Sequence, residues 1–73
     1  VTDYTPLQIL GRRVRDRRQH LSLSQEAMAE RCGVHRTYYS AIERGERNVT
    51  VLTLLRISQG IGTDVGDLMA GLK

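Results

Sequence analysis

The stretch Gln25-Glu26-Ala27-Met28-Ala29-Glu30-Arg31-Cys32-Gly33-Val34-His35-Arg36-Thr37-Tyr38-Tyr39-Ser40-Ala41-Ile42-Glu43-Arg44 decides the fold. It reads as a short helix, a Gly-centred turn and a second short helix. Ser24 is the N-cap of the first, and Glu26 sits where the helix end is positive. Gly33 stops that helix, because a left-handed residue is best supplied by glycine, and apolar Val34 pins the turn onto the core. The next helix starts near Arg36 and ends at Gly45. Met28, Cys32, Val34, Tyr39 and Ile42 stand where two crossing helices must touch, and small Ala29 lets their backbones approach.

Upstream, Thr5-Pro6-Leu7-Gln8 combines a capping hydroxyl, a proline at the first helical position and a glutamine three residues after the cap. A helix from Pro6 to about His20 follows, with Leu7, Leu10, Val14 and then Leu21 on its apolar stripe. Downstream, Thr50 caps a helix from Val51 to Ile61, with Gly60 and Gly62 marking its end. Asp64 caps a short fifth helix through Val65, Leu68, Met69 and Leu72 that stops near Gly71. The expectation is an all-α, compact bundle of five short helices. It forms one domain over 1–73, with 1–5 as an N-terminal arm, 25–44 as the central unit and 51–72 as helices for dimerisation.

Composition agrees with this class. In 73 residues, 40% hydrophobic and without Trp or Phe, the interior must be Leu, Ile, Val, Ala and Met, which suits packed helices. One cysteine makes no internal disulfide, and so small a chain without staples calls for tight packing or a partner subunit. No apolar run exceeds three residues and no leader pattern opens the chain, so no membrane association is expected and the chain reads as cytoplasmic. Paired carboxylates, a Ser-His arrangement and a phosphate-cradling Gly loop are all missing, which argues against an enzyme and against a cofactor.

The net charge is +3, and its excess is N-terminal: Arg12, Arg13, Arg15, Arg17 and Arg18 face only Asp3 and Asp16 within residues 1–20. Ten of the eleven cations are Arg, whose planar fork matches phosphate and guanine acceptors two at a time. A polyanion partner and a plain solvated helix face explain this charge equally well. The helix after Gly33 is more specific. At about 100° per residue, Tyr38, Tyr39 and Ile42 fall on one side. Arg36, Thr37, Ser40 and Arg44 fall on the other, with Ala41 at the edge. That outer face fits a major groove about 12 Å wide, as the second helix of a helix-turn-helix does.

From Leu10 to Leu68 the residues resemble the lambda-repressor-like, or XRE-type, helix-turn-helix regulators. The resemblance runs through Leu10-Gly11, Val14-Arg15, Arg18, Leu23-Ser24-Gln25-Glu26, Ala29, Gly33-Val34, Ile42-Glu43-Arg44-Gly45, Leu52, Leu55 and Ile57. The segment from His35 to Thr50 is most similar to the controller proteins of restriction-modification systems, small dimers that regulate their own operon. The resemblance implies that Arg36, Thr37, Ser40 and His35 face bases of double-stranded DNA. It implies phosphate contacts for Gln25, Tyr38, Arg44, Arg47, Asn48 and Arg18, with Arg13 adding attraction. Tyr38 is open to packing, to a phosphate bond, or to both. Glu43 would avoid phosphates by pairing with Arg44 or Arg47. The protein would be bacterial or phage-encoded and nucleoid-associated when bound, and RNA polymerase would be a further partner only for an activator.

Two positions depart from the family pattern. Arg17 stands where an apolar residue is usual, which implies a shifted helix, a snorkelling side chain or compensation by Leu21. Ser22 stands where glycine is usual, so the turn is expected to close through its hydroxyl. Cys32 and His35 have a metal-ligand spacing, but no second pair follows, and a buried cysteine with no metal is the expectation.

Val51, Leu52, Leu54, Leu55, Ile57 and Ile61 cover roughly 220° of the fourth helix, wider than one small core needs. Leu52, Leu55 and Ile61 are assigned to the core. Val51, Leu54 and Ile57, with Val65, Met69 and Leu72, are assigned to a two-fold homodimer interface. The same fold without the DNA role would serve as an antitoxin or protein-protein adaptor. Arg36 and Thr37 with Ser40 are what such an adaptor would not need.

Overall fold

The Gly33 elbow forms as its residues dictate. In a computed structural model describing residues 4–72, the helix Gln25–Cys32 (α2) ends on Gly33 at φ 70° and ψ 32°. The Val34 N–H then returns to the Ala29 carbonyl at 3.0 Å, and Arg36–Glu43 (α3) begins three residues after the glycine. Pro6–His20 (α1) precedes this pair, and Val51–Ile61 (α4) and Val65–Met69 (α5) follow it. The expected capping box is present: the Gln8 N–H donates to Thr5 Oγ1 and the Thr5 N–H to Gln8 Oε1. Ser24, Thr50 and Asp64 cap their helices through side-chain oxygens, satisfying N–H groups that have no partner within the helix. Of the expected arm at 1–5, residues 1–3 lie outside the described residues, and Thr5 is the cap of α1.

α1 packs on α3 and α2 on α4, with α5 closing the end against α1 and α4. Tyr39, Met28, Ile42, Ile57, Ile61 and Val14 are fully buried, with Leu10, Ala29, Cys32, Leu54 and Leu68 around them. Two glycines set the helix separations. A Cβ on Gly11 would strike the Ile42 and Glu43 carbonyls, so its absence lets α1 rest on the last turn of α3. Gly60 does not end α4, as expected, but is buried against Cys32, whose Cα lies 2.9 Å from where a Cβ would be. The end of α4 is Gly62.

The expected rotation of α4 is corrected. Leu54 and Ile57, assigned to the dimer face, are core residues at 9% and 0% exposure, whereas Leu52 and Leu55 are 58% and 44% exposed. The buried stripe is Leu54, Ile57, Ser58 and Ile61, with Gly60 at the crossing with α2. Close packing of α2 there is permitted by Gly60, and buried Ser58 satisfies its hydroxyl on the Leu55 carbonyl at 2.8 Å. Val65 and Leu72 are half-buried against the core; Val51 and Met69 are exposed.

Three of the five N-terminal arginines hold the helices together. Arg17 accommodates its unusual position without a shift of α1, donating from Nε to the Ile61 carbonyl at the end of α4 (3.0 Å). Arg13 donates to the Leu68 and Ala70 carbonyls at the end of α5 (2.9 and 2.7 Å). Both place a cation on carbonyls that lack helical partners and carry the negative end of the dipole. Arg18 makes a two-pronged ion pair with Glu43 at 2.6 and 3.1 Å and also donates to the Leu23 carbonyl. Its side chain is 13% exposed and that of Glu43 2%. The expected pairing of Glu43 with Arg44 or Arg47 therefore gives way to one with Arg18 across the α1–α3 contact.

Ser22 holds φ 58°, the conformation a glycine would take, and the turn closes through backbone bonds of Leu21, Ser22 and Leu23 to α1 carbonyls, not through the hydroxyl as expected. Ser22→Gly should therefore stabilise the fold by about 1 kcal/mol, raising Tm by about 4–8 °C in a thermal melt. A fall in Tm would show the turn to be unstrained.

Burial alone would raise the Glu43 carboxyl, but hydrogen bonds from Arg18 and Gln25, the nearby Tyr39 hydroxyl dipole and the Arg18 charge hold it below its ordinary 4.5. The Tyr39 Oη itself, though close enough to act on that carboxylate, is buried without a partner of good hydrogen-bond geometry. A carboxyl depressed on folding contributes stability that is complete above its unfolded pKa and disappears as pH falls through the folded one. Glu43→Gln should be less stable than wild type by about 3–5 kcal/mol near pH 7, with the gap narrowing steadily below about pH 4.3. Urea melts across that range check it; a gap independent of pH would remove the carboxylate charge from the explanation.

Candidate nucleic-acid interface

Placing α3 behind the elbow leaves one of its faces in solvent. His35 is the N-cap of α3, its Nδ1 accepting from the Thr37 N–H at 3.1 Å, and it stays exposed. Arg36 and Thr37 are exposed, and their side chains meet no hydrogen-bond partner among the described residues. Arg44 is exposed one turn beyond Ser40, while Tyr39, Ala41 and Ile42 turn inward. The expected division of the helix holds except at its margins. Ser40 and Tyr38 are half-buried, and Glu43 is buried.

Two hollows flank the ridge that Thr37 and Arg44 form. One, of about 200 Å³, is lined by Gln25, Arg36, Thr37, Ser40 and Arg44. The other, of about 510 Å³, lies between α3 and the following loop, with His35, Tyr38, Ala41, Glu46 and Arg47 joining the two ridge residues. Cationic side chains rim both, so the face is suited to an anionic ligand that straddles the ridge.

Several side chains here are already engaged within the chain. Tyr38 donates its hydroxyl proton to the Asn48 carbonyl at 3.1 Å, and the Arg47 guanidinium stands 5.6 Å from its ring centre. That proton is thus used within the chain here, and Tyr38 shapes the loop carrying Arg47 and Asn48, both exposed. Arg44 pairs with Glu46 at 2.9 Å, but with these side chains 52% and 59% exposed the pair is worth at most about 1 kcal/mol and yields readily to a phosphate. Gln25 donates from Nε2 to Glu43 Oε1 at 3.0 Å and accepts at Oε1 from Ser40 at 3.1 Å.

Arg18 and Arg13 do not belong to this face. The Arg18 guanidinium is charge-paired with Glu43 and largely buried, so its expected phosphate contact is corrected; Arg13 is bonded to carbonyls at the end of α5, which holds its guanidinium there but leaves its charge. Cys32 is buried with its Sγ 3.8 Å from the Ile57 carbonyl, and burial pushes its thiol up despite the nearby Arg31. The link from Arg18 through Glu43 to Gln25 was missed, although a signal existed. Arg18 continues the Leu10, Val14 stripe and Glu43 follows Tyr39 by four residues, so opposite charges occupy core periodicity on two helices.

The helix-turn-helix family model matches residues 14–68 of the chain. Control protein C.SmaI of Serratia marcescens is 46% identical over 68 residues, 90% of this chain and 81% of that protein. Control protein C.BamHI of Bacillus amyloliquefaciens is 44% identical over 62 residues, covering 84% and 76%. The restriction-modification controller protein C.AhdI from Aeromonas hydrophila has a crystal structure that superposes with a TM-score of 0.84 at 34% identity, over 89% of this chain and 98% of that one. The helical arrangement is thus shared, and the chain belongs to the helix-turn-helix family, among the restriction-modification controller proteins.

Proposed function

We propose that the chain is a sequence-specific DNA-binding transcription regulator of the controller type, acting as a homodimer on a pseudo-palindromic operator of its own operon. The observation that carries this reading is the outer face of α3, where the side chains of exposed Arg36 and Thr37 have no hydrogen-bond partner among the described residues and Thr37 stands between two cation-rimmed hollows. In this reading Arg36, Thr37 and His35 approach base edges, and Arg36 is suited to a two-pronged bond with guanine. Gln25, Arg44, Arg47 and Asn48 hold phosphates on either side, setting register while the base contacts choose sequence.

The dimer surface is redrawn from burial. Val51, Leu52 and Leu55, 75%, 58% and 44% exposed, lie within the first five residues of α4, and Met69 on α5 is 38% exposed. These are large apolar side chains left in water by a small core, and a two-fold partner is the simplest way to bury them. Two copies joined there would present α3 helices to successive major grooves about 34 Å apart.

Footprinting on DNA upstream of the protein's own gene should show two protected half-sites. Arg36→Ala should lose about 1–3 kcal/mol on that site and relax its sequence preference at one base pair per half-site. Arg47→Ala should weaken binding to all sequences and lower the salt slope by about 1. Indifference of sequence preference to Arg36→Ala would remove α3 as the reading element. In sedimentation at micromolar concentration the wild type should be a dimer and Leu52→Glu a folded monomer; a wild-type monomer would overturn the interface.

A further inference from the structure

Ser40 faces the same hollow as Arg36, yet its hydroxyl is already committed. Its single proton goes to Gln25 Oε1 at 3.1 Å, and it accepts from Arg44 Nη1 at 2.9 Å. A hydroxyl has one donor, so what Ser40 retains is one acceptor lone pair. It has nothing to donate to a guanine or to a phosphate. Its two partners differ in this respect. Gln25 keeps a second Nε2 hydrogen beyond the one given to Glu43. Arg44, bonded through Nε to Glu46 and through Nη1 to Ser40, keeps three of its five N–H groups.

The other end of this chain of bonds is fixed. Glu43 Oε1 takes the Gln25 amide and also the Nη2 of Arg18, and Glu43 Oε2 takes the Arg18 Nε. Gln25 therefore has its amide orientation set by a buried carboxylate, and Ser40 transmits that orientation from α2 to Arg44 on the surface of α3. With its donor side toward Glu43, the amide must present its oxygen to Ser40. The serine proton is thereby directed to Gln25, and its lone pair is left for Arg44.

We propose that Ser40 is a positioning residue, its hydroxyl locking Gln25 and Arg44 as paired donors toward one stretch of DNA backbone, and that it reads no base. This assignment rests on the DNA-binding reading and replaces the base contact expected for Ser40. The two roles separate experimentally. A base reader acts on one sequence; a positioning residue for phosphate contacts acts on all of them.

The test uses a duplex selected by the wild-type protein from a random pool and a scrambled duplex of equal length, each titrated over a salt series. Ser40→Ala, with a thermal melt to establish that it folds, should weaken binding to both duplexes by a similar factor of about five to ten and leave their affinity ratio unchanged. Gln25→Ala and the double variant Gln25→Ala/Ser40→Ala complete a cycle. The loss in the double variant should fall clearly short of the sum of the two single losses, because the serine acts in part through the amide. Loss confined to the selected duplex, unchanged binding to both, or additive losses in the cycle would each overturn the assignment. Failure of the wild type to bind either duplex would instead strike the DNA reading on which the assignment stands, and the wild-type titration reveals that before any variant is measured.

Discussion

The ion pair between Arg18 and Glu43 is the constraint on which the recognition surface depends. Two charges with side-chain exposures of 13% and 2% are costly to bring out of water, and their attraction roughly offsets that cost only at good geometry. Here the geometry is good: two N–H donors of one guanidinium meet both oxygens of one carboxylate, and the remaining acceptor capacity is filled by Gln25. Such a pair adds little net stability compared with a well-packed apolar substitute. It supplies direction, which an apolar contact would not. α3 is only eight residues long, and Tyr39 and Ile42 alone would tolerate some rolling about its axis. The bond from α1 at Glu43, beside the close approach permitted by Gly11, fixes that roll and so fixes which residues of α3 face outward.

The same chemistry explains where the excess positive charge lies. An N-terminal helix with five arginines looks like an electrostatic surface, yet Arg13, Arg17 and Arg18 are bonded within the chain, to helix-terminal carbonyls and to Glu43. Each of α4 and α5 ends with a guanidinium from α1 on its last carbonyls. A short helix loses a large share of its hydrogen bonds at its ends, so such capping matters most where helices are shortest, and α5 has five residues. The cations facing solvent near α3 are fewer, Arg36, Arg44 and Arg47, but they are grouped around one ridge. Net charge and its position along the chain thus describe the partner less well than the three-dimensional grouping does.

Local rules set the helix starts at Thr5, Ser24, Thr50 and Asp64 and the end of α2 at Gly33, each acting within four residues of itself; the expected fifth helix, by contrast, stops at Met69, short of Leu72. The outward set Arg36, Thr37 and Arg44 follows from the same short-range geometry. What periodicity could not reveal is long-range. The rotation of α4 buries Ser58 and Gly60, the latter directly against Cys32 of α2; a reading weighted by hydrophobicity places Leu52 and Leu55 inside instead. Apart from the Leu23 carbonyl near Arg18, the partners of Arg13, Arg17 and Arg18 lie 25 to 57 residues away, so no local pattern pairs them. Engagement of the Ser40 and Tyr38 hydroxyls likewise depends on Gln25 and Asn48, on other elements.

The exposed apolar residues of α4 connect stability to recognition. Val51, Leu52 and Leu55 sit at the N-terminal end of the helix, while its C-terminal end is held by Arg17 from α1. α1 in turn holds α3 through Glu43. A partner docking on α4 would therefore bear on a nearly rigid path, helix to guanidinium to helix, ending at the recognition ridge. Because a dimer of so small a domain gains stability by mass action, the folded population and the correctly spaced pair of ridges would rise together with protein concentration. In the proposed dimer, that coupling would tie the presentation of both ridges to the abundance of the protein itself.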